Sequence, residues 1–533
     1  MSIDKNTTAI SKAICIICPL IAVAFVSHKF LTVLAIDVPR ELREMNMVVF
    51  AKAFSEGRNL YLPSVLDADI PTATNLYGFL APLIISAFIS LTGDLGLSAL
   101  RVSEVITLLV ECAGVYFAYR TLYLKTENAQ YSMIGAVILD SCYWRYAAFG
   151  GVFPDQWGLT LGLFLTYLIT KDEKNRKYHP YVYALVIILL FYIKQYFVFW
   201  LVGVGVYLLI KSFRDMMKFA VSGIVCGVIS MIAVNLIFPL YFSEVFPVAQ
   251  GSTGSNGIPD SLKQIYEQTL WSYKAFVLIL FVYAGFCIIR KIRRKSEGNF
   301  RGSVFSGYEF CQMICVFPFS VIISQNEGTR YTYNLQLWWP YVIIFALSVL
   351  PVMLKDIRIN SKWLRYAILA AVIMYSLWDC KSMLISRPLN TDQKQAWNDA
   401  YSILDMYSGN GDILVSPHLS SYCLEKGITT SDYGQAEFNS LESLNAYLNN
   451  RLYVRLFPKT ERIFNNNISY NERVLEKINN RDYACIALTD AAGYWLEEDD
   501  ILAAGYRVDV ESELVAGGET LDTKFYIPDT SGK

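Results

Sequence analysis

Six carboxylates lie in one polar stretch near the start of the chain, residues 37–75, between two apolar segments: Asp37, Glu41, Glu44, Glu56, Asp67 and Asp69. A carboxylate that is partly shielded from water can act as a general base. Residues 44–57 carry apolar side chains at helical spacing and end at Gly57, which predicts an amphipathic helix at a membrane surface. Such a helix would hold Glu44 beside the headgroup of a lipid-bound substrate. The alternative is that these acids are solvated loop charges.

A second acid, Asp155, follows Pro154 and directly precedes another apolar segment. An acid in the first turn of a helix can simply complement the helix dipole. Two acids from distant positions on one face can instead share a catalytic task, one as general base and the other orienting a partner or a metal. Both interpretations stay open at this point.

Two basic residues are candidates for binding an anion. Lys194 lies between two apolar segments, where an uncompensated charge is costly, although its long side chain could extend to the interface. Arg330 lies in the polar stretch 325–334, where a guanidinium could bind a phosphate through paired hydrogen bonds or form a surface ion pair with Glu327. Three further charged residues fall within apolar segments, and a structural pair among them is the simplest explanation: Glu111, Asp140 and Arg145.

The elements that would position these residues are apolar. Of the 533 residues, 54% are hydrophobic and only 17% are charged, whereas a soluble protein has about 25% charged residues. The net charge of −1 argues against a nucleic-acid partner. Eleven scattered cysteines and three histidines predict no metal site. Candidate spanning segments of about 20 residues are 12–36, 76–93, 98–121, 129–150, 155–171, 179–193, 195–211, 217–241, 271–290, 304–325, 333–354 and 363–381.

These segments predict an α-helical polytopic membrane protein with about 11–12 spanning or re-entrant helices in residues 1–381. From residue 382 to residue 533 the composition becomes polar, and short apolar strands alternate with amphipathic helices. We therefore expect a small C-terminal α/β domain. Its predicted elements are helices at 391–408 and near 418–426, and strands at 412–416, 483–488, 506–513 and 524–527.

The distribution of lysine and arginine predicts the orientation. Four connectors are rich in positive charge: 171–177, 211–218, 290–301 and 355–362. They alternate with connectors that are poor in positive charge. Because basic loops favour the cytoplasm, this pattern places the four connectors in the cytoplasm and the C-terminal domain outside. Residues 120–125 fit this scheme only if segment 76–93 does not cross the membrane. Either that segment is re-entrant or interfacial, or residues 120–125 break the rule.

In their order along the chain, several short motifs resemble the GT-C superfamily of multi-spanning glycosyltransferases. The resemblance covers most of the chain and rests on order and spacing: Glu56-Gly57-Arg58-Asn59-Leu60-Tyr61, Tyr77-Gly78, Pro82-Leu83, Gly93, Ala99-Leu100-Arg101, Pro154-Asp155, Lys194-Gln195 and Gly328 to Tyr333-Asn334. The superfamily includes protein mannosyltransferases, the aminoarabinose transferase of lipid A and oligosaccharyltransferase catalytic subunits. Its members use polyprenyl-phosphate sugars.

The resemblance implies a glycosyltransferase of the bacterial plasma membrane. It would transfer a sugar, with inversion, from a polyprenyl-phosphate donor to an envelope glycan, lipid or protein on the extracytoplasmic face. By position, Glu44 matches the first-loop acid and Asp155 the second. Because Arg43 replaces the first acid of the usual pair, Asp37 competes with Glu44 as the catalytic base. The substrate-binding candidates are Lys194, Arg330, Asn334 and Arg101. Some relatives use a divalent cation (Mg²⁺ or Mn²⁺), which two acids alone do not demonstrate.

Three other classes remain as alternatives. A transporter or lipid flippase would explain the many segments, but it predicts charged residues near the middle of the membrane and duplicated halves. No duplicated halves are visible, and the clearest acids lie at segment ends. A polysaccharide polymerase or ligase would carry a large late outer loop, whereas the late loops here are short. A membrane scaffold without enzymatic activity is the third.

Overall fold

Helices dominate the computed structural model, which describes residues 2–35, 38–39, 44–67, 75, 77–143, 151–248, 257–268, 273–293, 307–323, 336–356, 362–379, 381, 389–428, 441–490, 496–516 and 519–529. The bundle consists of α1 (Ser2–Leu34), α2 (Glu44–Ser55), α3 (Leu80–Thr92), α4 (Ala99–Thr126), α5 (Ala129–Asp140), α6 (Pro154–Asn175), α7 (Pro180–Ile193), α8 (Trp200–Lys211), α9 (Phe213–Ile237), α10 (Ile258–Gln268), α11 (Lys274–Arg293), α12 (Tyr308–Ile323), α13 (Trp339–Asp356) and α14 (Lys362–Asp379). Each predicted apolar segment overlaps one of these helices.

Within the described residues, three helices are long and apolar enough to cross a membrane: Ile16–Leu34 of α1, α4 and α9. Shorter apolar helices surround them, among them α3, α7, α11, α12 and α13. Most of α9 is exposed, since only 6% of its most apolar stretch is buried inside the protein. Because such a surface is unfavourable in water, it is suited to contact lipid.

Glycines on α6 allow the connection between α7 and α8 to pack closely against it. A Cβ atom at Gly162 would lie 1.4 Å from the Trp200 ring, and one at Gly158 would lie 1.9 Å from the Phe197 ring. The Trp200 indole also donates a hydrogen bond to the Leu337 carbonyl at 3.1 Å. This packing fixes where α7 ends, and therefore where Lys194 lies.

The C-terminal domain contains the helices α15 (Thr391–Ser408), α16 (Ser420–Lys426), α17 (Leu441–Asn449), α18 (Arg451–Leu456), α19 (Thr460–Asn479) and α20 (Glu498–Ala503). Its strands are β1 (Asp412–Val415), β2 (Tyr483–Thr489), β3 (Tyr506–Ala516) and β4 (Glu519–Pro528). The sheet order is β1-β2-β4-β3, with β1 parallel to β2 and the other neighbours antiparallel. A capping box between Asn390 and Gln393 starts α15. The predicted small α/β domain is confirmed.

The domain packs against one end of the helical bundle, which we call the domain face. The Glu425 carboxylate accepts a hydrogen bond from the Ala99 amide at 3.0 Å, at the start of α4. The Thr460 hydroxyl donates to the Ser243 carbonyl at 3.2 Å, in the connector after α9. Residues of α16, α17 and α19 also share one hydrophobic core with α2. The domain is therefore integrated with the bundle.

The helix α3 begins and ends at the domain face. The Gly78 amide donates to the Ile193 carbonyl at the end of α7, at 3.1 Å, and α4 begins at Ala99 beside the C-terminal domain. With 13 residues, α3 is about 20 Å long, shorter than the roughly 30 Å apolar layer of a bilayer. The contacts of Arg101 with Val33 and of Glu111 with Lys29 show that α1 and α4 are antiparallel. That segment 76–93 does not cross the membrane stays a prediction, and it would account for the basic residues 120–125.

An ion cluster lies among the apolar helices. The Lys29 ammonium of α1 lies 2.9 Å from the Glu111 carboxylate of α4 and 2.6 Å from the Asp140 carboxylate at the end of α5. All three side chains are buried. The expected structural pairing involves Glu111 and Asp140, but their cation is Lys29, which the sequence had not indicated. Arg145 lies outside the described residues.

Candidate active site

Asp155 and Lys194 form a buried ion pair at the domain face. Asp155 lies in the first turn of α6, and Lys194 follows the last residue of α7 in an extended conformation. The Lys194 ammonium lies 2.8 Å and 2.9 Å from the two carboxylate oxygens of Asp155. Asp155 is 0% and Lys194 is 1% exposed. Lys194 therefore does not extend to the interface, and Asp155 does more than complement a helix dipole.

Aromatic residues surround the ion pair. The Tyr196 hydroxyl donates to Asp155 and contacts Gln336 at 3.0 Å. The Lys194 ammonium lies 4.6 Å from the centre of the Tyr77 ring and 5.0 Å from that of Tyr196. Such rings favour a cation over their faces. The lysine is thus held in one position by a carboxylate and two rings.

Glu44 is joined to the same segment as Asp155. It is the first residue of α2, it is 0% exposed, and its carboxylate accepts a hydrogen bond from the Val152 amide at 2.8 Å. Val152 lies three residues before Asp155. The structure therefore brings the two predicted acids to one short segment at the domain face, and Glu44 is not a solvated loop charge.

The residues Asn75, Tyr77 and Gly78 lie over the end of α7. The Tyr77 amide donates to the Asn75 side chain at 3.0 Å, and the Gly78 amide donates to Ile193 at 3.1 Å. A Cβ atom at Gly78 would lie 1.8 Å from the Tyr192 carbonyl oxygen. Only glycine allows this approach, which places the Tyr77 ring over Lys194.

Replacing Gly78 by alanine is therefore expected to separate this segment from α7, because a backbone carbonyl cannot move aside as a side-chain tip can. Any activity that depends on Lys194 should fall by about tenfold or more. The measurement is the catalytic rate together with the thermal unfolding midpoint. Gly93→Ala is the matched control, since nothing lies within 4 Å of the position that its new methyl group would take. Equal effects of the two substitutions would contradict the proposed role.

A third buried acid, Glu244, was not found from the sequence. Its carboxylate accepts a hydrogen bond from the Asn75 amide at 3.1 Å, and the Asn75 side chain donates to the Tyr61 hydroxyl at 2.7 Å. Burial raises the pKa of Glu244 well above its usual range. The available signal was an acid immediately after the apolar segment 217–241. Glu244 fixes Asn75, and thereby the segment over Lys194.

The raised pKa predicts a pH-dependent stability. At pH values below its ordinary pKa of about 4.3, Glu244 makes its full contribution to the free energy of unfolding. That contribution is lost as the pH rises through the higher pKa of Glu244 in the folded state. Glu244→Gln, which stays neutral, is expected to gain thermal stability relative to the native chain as the pH is raised from 5 to 9. Thermal unfolding across that range measures the difference, with the exposed Glu472→Gln as control. A constant difference between native chain and variant would contradict the prediction.

The other predicted site residues have different surroundings. The Arg101 guanidinium donates a hydrogen bond to the Val33 carbonyl of α1 and lies 3.5 Å from the Glu104 carboxylate of α4. These contacts link α1 to α4. The role of Arg101 in binding substrate stays a prediction. Asp37, Arg330 and Asn334 lie outside the described residues.

A divalent cation does not fit the described part of the site. Among the described residues, no group of three histidine, cysteine or acidic side chains could hold a metal. Both oxygens of Asp155 face the Lys194 ammonium, which would repel a second cation. No step is therefore assigned to Mg²⁺ or Mn²⁺.

The bundle, the short helices at the domain face and the terminal α/β domain together define a GT-C fold. Solved structures of other proteins share it. ArnT from Cupriavidus metallidurans, bound to undecaprenyl phosphate, matches with a TM-score of 0.55 and 10% identity, over 96% of this chain and 97% of that one. The fold class predicted from the sequence, an α-helical polytopic membrane protein with a small C-terminal domain, is confirmed.

Two more of these structures are larger proteins. The Archaeoglobus fulgidus oligosaccharyltransferase, tethered to an acceptor peptide, matches with a TM-score of 0.51 and 10% identity, over 93% of this chain and 72% of that one. The arabinofuranosyltransferase AftD from Mycobacteria matches with a TM-score of 0.51 and 13% identity, over 96% of this chain and 39% of that one. No family model and no curated protein sequence matches the chain. The similarity therefore establishes the fold.

Proposed function

We propose that this protein is a membrane glycosyltransferase that transfers a sugar from a polyprenyl-phosphate donor to an acceptor at the domain face. The observation that carries the proposal is that the Glu44 carboxylate and the Lys194 ammonium both contact the buried segment 152–155, Glu44 at the Val152 amide and Lys194 at the Asp155 carboxylate. The structural neighbours are glycosyltransferases, and one of them was solved with undecaprenyl phosphate.

A groove beside Lys194 supports a lipid-linked donor. It has a volume of about 730 Å³, lies among α7, α8 and α9, and is lined almost entirely by apolar residues, including Phe191, Tyr192, Gly205, Gly227 and Phe246. Tyr192, one of its lining residues, precedes Lys194 by two residues, although neither Lys194 nor Asp155 lines the groove itself. An isoprenoid chain in the groove would bring its phosphate towards the lysine.

In the proposed reaction, Glu44 removes the proton from an acceptor hydroxyl or amide. The acceptor atom then forms a bond to the anomeric carbon as the bond from that carbon to the phosphate oxygen breaks. The electron pair leaves with the polyprenyl phosphate, whose charge Lys194 stabilises. Asp155 orients Lys194. One displacement at the anomeric carbon inverts its configuration, and Arg330 and Asn334 are proposed to bind the donor as well.

The positive-charge pattern supports an extracytoplasmic domain face. Because α4 begins at Ala99 beside the C-terminal domain, residues 120–125 lie at its other end. The basic connectors 171–177 and 211–218 lie at that same end, because Lys174 pairs with Glu127 just after α4 and Lys211 pairs with Glu173. Because positively charged loops favour the cytoplasm, the domain and the site would face outward from the plasma membrane, bacterial in our proposal. The acceptor would then be an envelope glycan, lipid or protein.

The test is to incubate the detergent-purified protein with radiolabelled polyprenyl-phosphate hexoses and pentoses and a cell-envelope extract. Transfer of label, or release of free sugar into water, would identify both the class of enzyme and the donor. If every donor remained intact and none bound, the glycosyltransferase proposal would be wrong.

The groove makes a further prediction. Gly205→Phe, at a position with no atom within 4 Å of a new Cβ, is expected to raise the KM for a long polyprenyl donor about tenfold by filling the groove. A short-chain donor should be affected less. Gly285→Phe, equally unobstructed on α11 but not lining the groove, is the control. Equal changes in KM for long and short donors would contradict this placement of the lipid.

A transporter or flippase retains one supporting observation, the Lys29–Glu111–Asp140 cluster among apolar helices. These charges pair with one another, whereas the large groove of the described residues is apolar. Uptake by proteoliposomes in the absence of any sugar transfer would favour this alternative.

A further inference from the structure

A second cavity lies where the C-terminal domain meets the bundle. Its volume is about 300 Å³, near the lower limit for small-molecule sites. Helices α15 and α16 form one side, and the start of α4 forms the other. Its uncharged polar lining residues are Ser98, Asn398, Tyr401, Ser421 and Tyr422, and Val38 and Leu100 add apolar surface.

The charged residues at its edge are already compensated. The Glu425 carboxylate accepts the Ala99 amide at 3.0 Å. The Lys426 ammonium lies 2.6 Å from Asp405 and 5.4 Å from the centre of the Tyr422 ring. Because Lys426 is already paired with Asp405 and Glu425 is hydrogen-bonded at the start of α4, the cavity favours a neutral ligand over an anion.

The remaining groups suit a ligand with many hydroxyls. The Tyr401 hydroxyl and the Ser421 hydroxyl lie 2.8 Å apart, and hydroxyl oxygens can each both donate and accept hydrogen bonds. Asn398 adds an exposed amide with the same double capacity. The rings of Tyr401 and Tyr422 lie 5.7 Å apart at 30°, and they offer apolar surface for the carbon face of a sugar ring.

The cavity and the helix of the candidate base both contact α16. Helix α16, which lines the cavity, packs against α2, whose first residue is Glu44. Leu424 of α16 shares a hydrophobic core with Met45 of α2. A ligand in the cavity would therefore lie against α16, the helix that packs against the helix of Glu44.

We propose that this cavity binds one sugar ring of a neutral glycan acceptor. The inference rests on the proposed glycosyltransferase function and names its acceptor class. Lys426, the one cation among the described lining residues, is already paired with Asp405, so a neutral glycan is favoured over an anionic lipid headgroup.

The test fills the cavity without touching Glu44, Asp155 or Lys194. Asn398→Trp places a bulky ring at an exposed lining position. Asn449→Trp, the same change at an exposed position of α17 outside the cavity, is the matched control. Transfer to a delipidated envelope polysaccharide is compared with hydrolysis of the donor by water. In parallel, intrinsic fluorescence of the full chain is titrated with neutral mannan, galactan and arabinan oligosaccharides.

We expect Asn398→Trp to raise the acceptor KM about tenfold with donor hydrolysis unchanged, and Asn449→Trp to behave like the native chain. Loss of hydrolysis together with transfer, or an unchanged acceptor KM, would overturn the proposal. If the native chain consumes no donor, the proposed function fails instead. The titration then decides the cavity separately: oligosaccharide binding that Asn398→Trp abolishes supports it, and no binding to the native chain overturns it.

Discussion

Replacing Glu44 by glutamine is expected to lower the rate of sugar transfer by about 10²–10⁴-fold, the usual contribution of a general base. Glutamine has nearly the same shape as glutamate, and its side-chain oxygen can still accept the Val152 amide that now lies 2.8 Å from the carboxylate. The fold should therefore persist while the base is lost. The measurement is kcat for transfer, beside the thermal unfolding midpoint.

The control for this substitution is Glu56→Gln. Glu56 is an exposed acid just after the same helix, and its carboxylate pairs with Arg58. It should retain near-native activity. If Glu44→Gln also retained activity, Glu44 would not be the base, and Asp37 would become the candidate to test. A large fall in the unfolding midpoint would mean that Glu44 acts mainly through the structure around Val152.

The second large effect concerns the Asp155–Lys194 pair. Asp155→Asn and Lys194→Met are each expected to lower transfer by about 100-fold or more, since the lysine is either misplaced or absent. Each should also destabilise the protein by about 3–5 kcal/mol, because removing one partner leaves a buried charge unpaired. The double variant removes both charges, so it should recover much of the stability without recovering activity.

Thermal unfolding and transfer rates of the two single variants and the double variant measure this separation. Lys211 and Glu173 provide a matched control pair, because they lie 3.1 Å apart but are about a quarter exposed. Breaking that pair should cost about 1 kcal/mol or less and leave transfer intact. If the double variant were active, neither the charge of Lys194 nor that of Asp155 would be needed for the reaction.

The sequence predicted the apolar helices and the terminal strands because those patterns are local. A run of apolar residues specifies a buried or lipid-facing helix whatever its neighbours are. The end of α7 at Lys194 was also predicted, because a charged residue interrupts two such runs. The helix that begins at Glu44 was predicted by the same kind of reasoning, from apolar spacing and a final glycine.

The pairing within the site could not be predicted in this way. Asp155 and Lys194 are 39 positions apart, and hydropathy gives no information on which helix ends meet. Glu244 was missed for the same reason, since its environment is made by Asn75, 169 positions earlier. Lys29 lies near the end of an apolar helix, where a lysine usually extends to the interface. Only the packing of α1 against α4 and α5 turns it inward.

The Lys29 cluster has a consequence for biosynthesis. The lysine is translated 82 residues before Glu111 and 111 residues before Asp140. At about 5–20 residues per second, it waits about 4–20 seconds for its counter-ions. Until α4 and α5 enter the bilayer, α1 carries an uncompensated charge and has no fixed depth in the membrane. The first helix therefore reaches its final place late, and the order of translation is not the order of assembly.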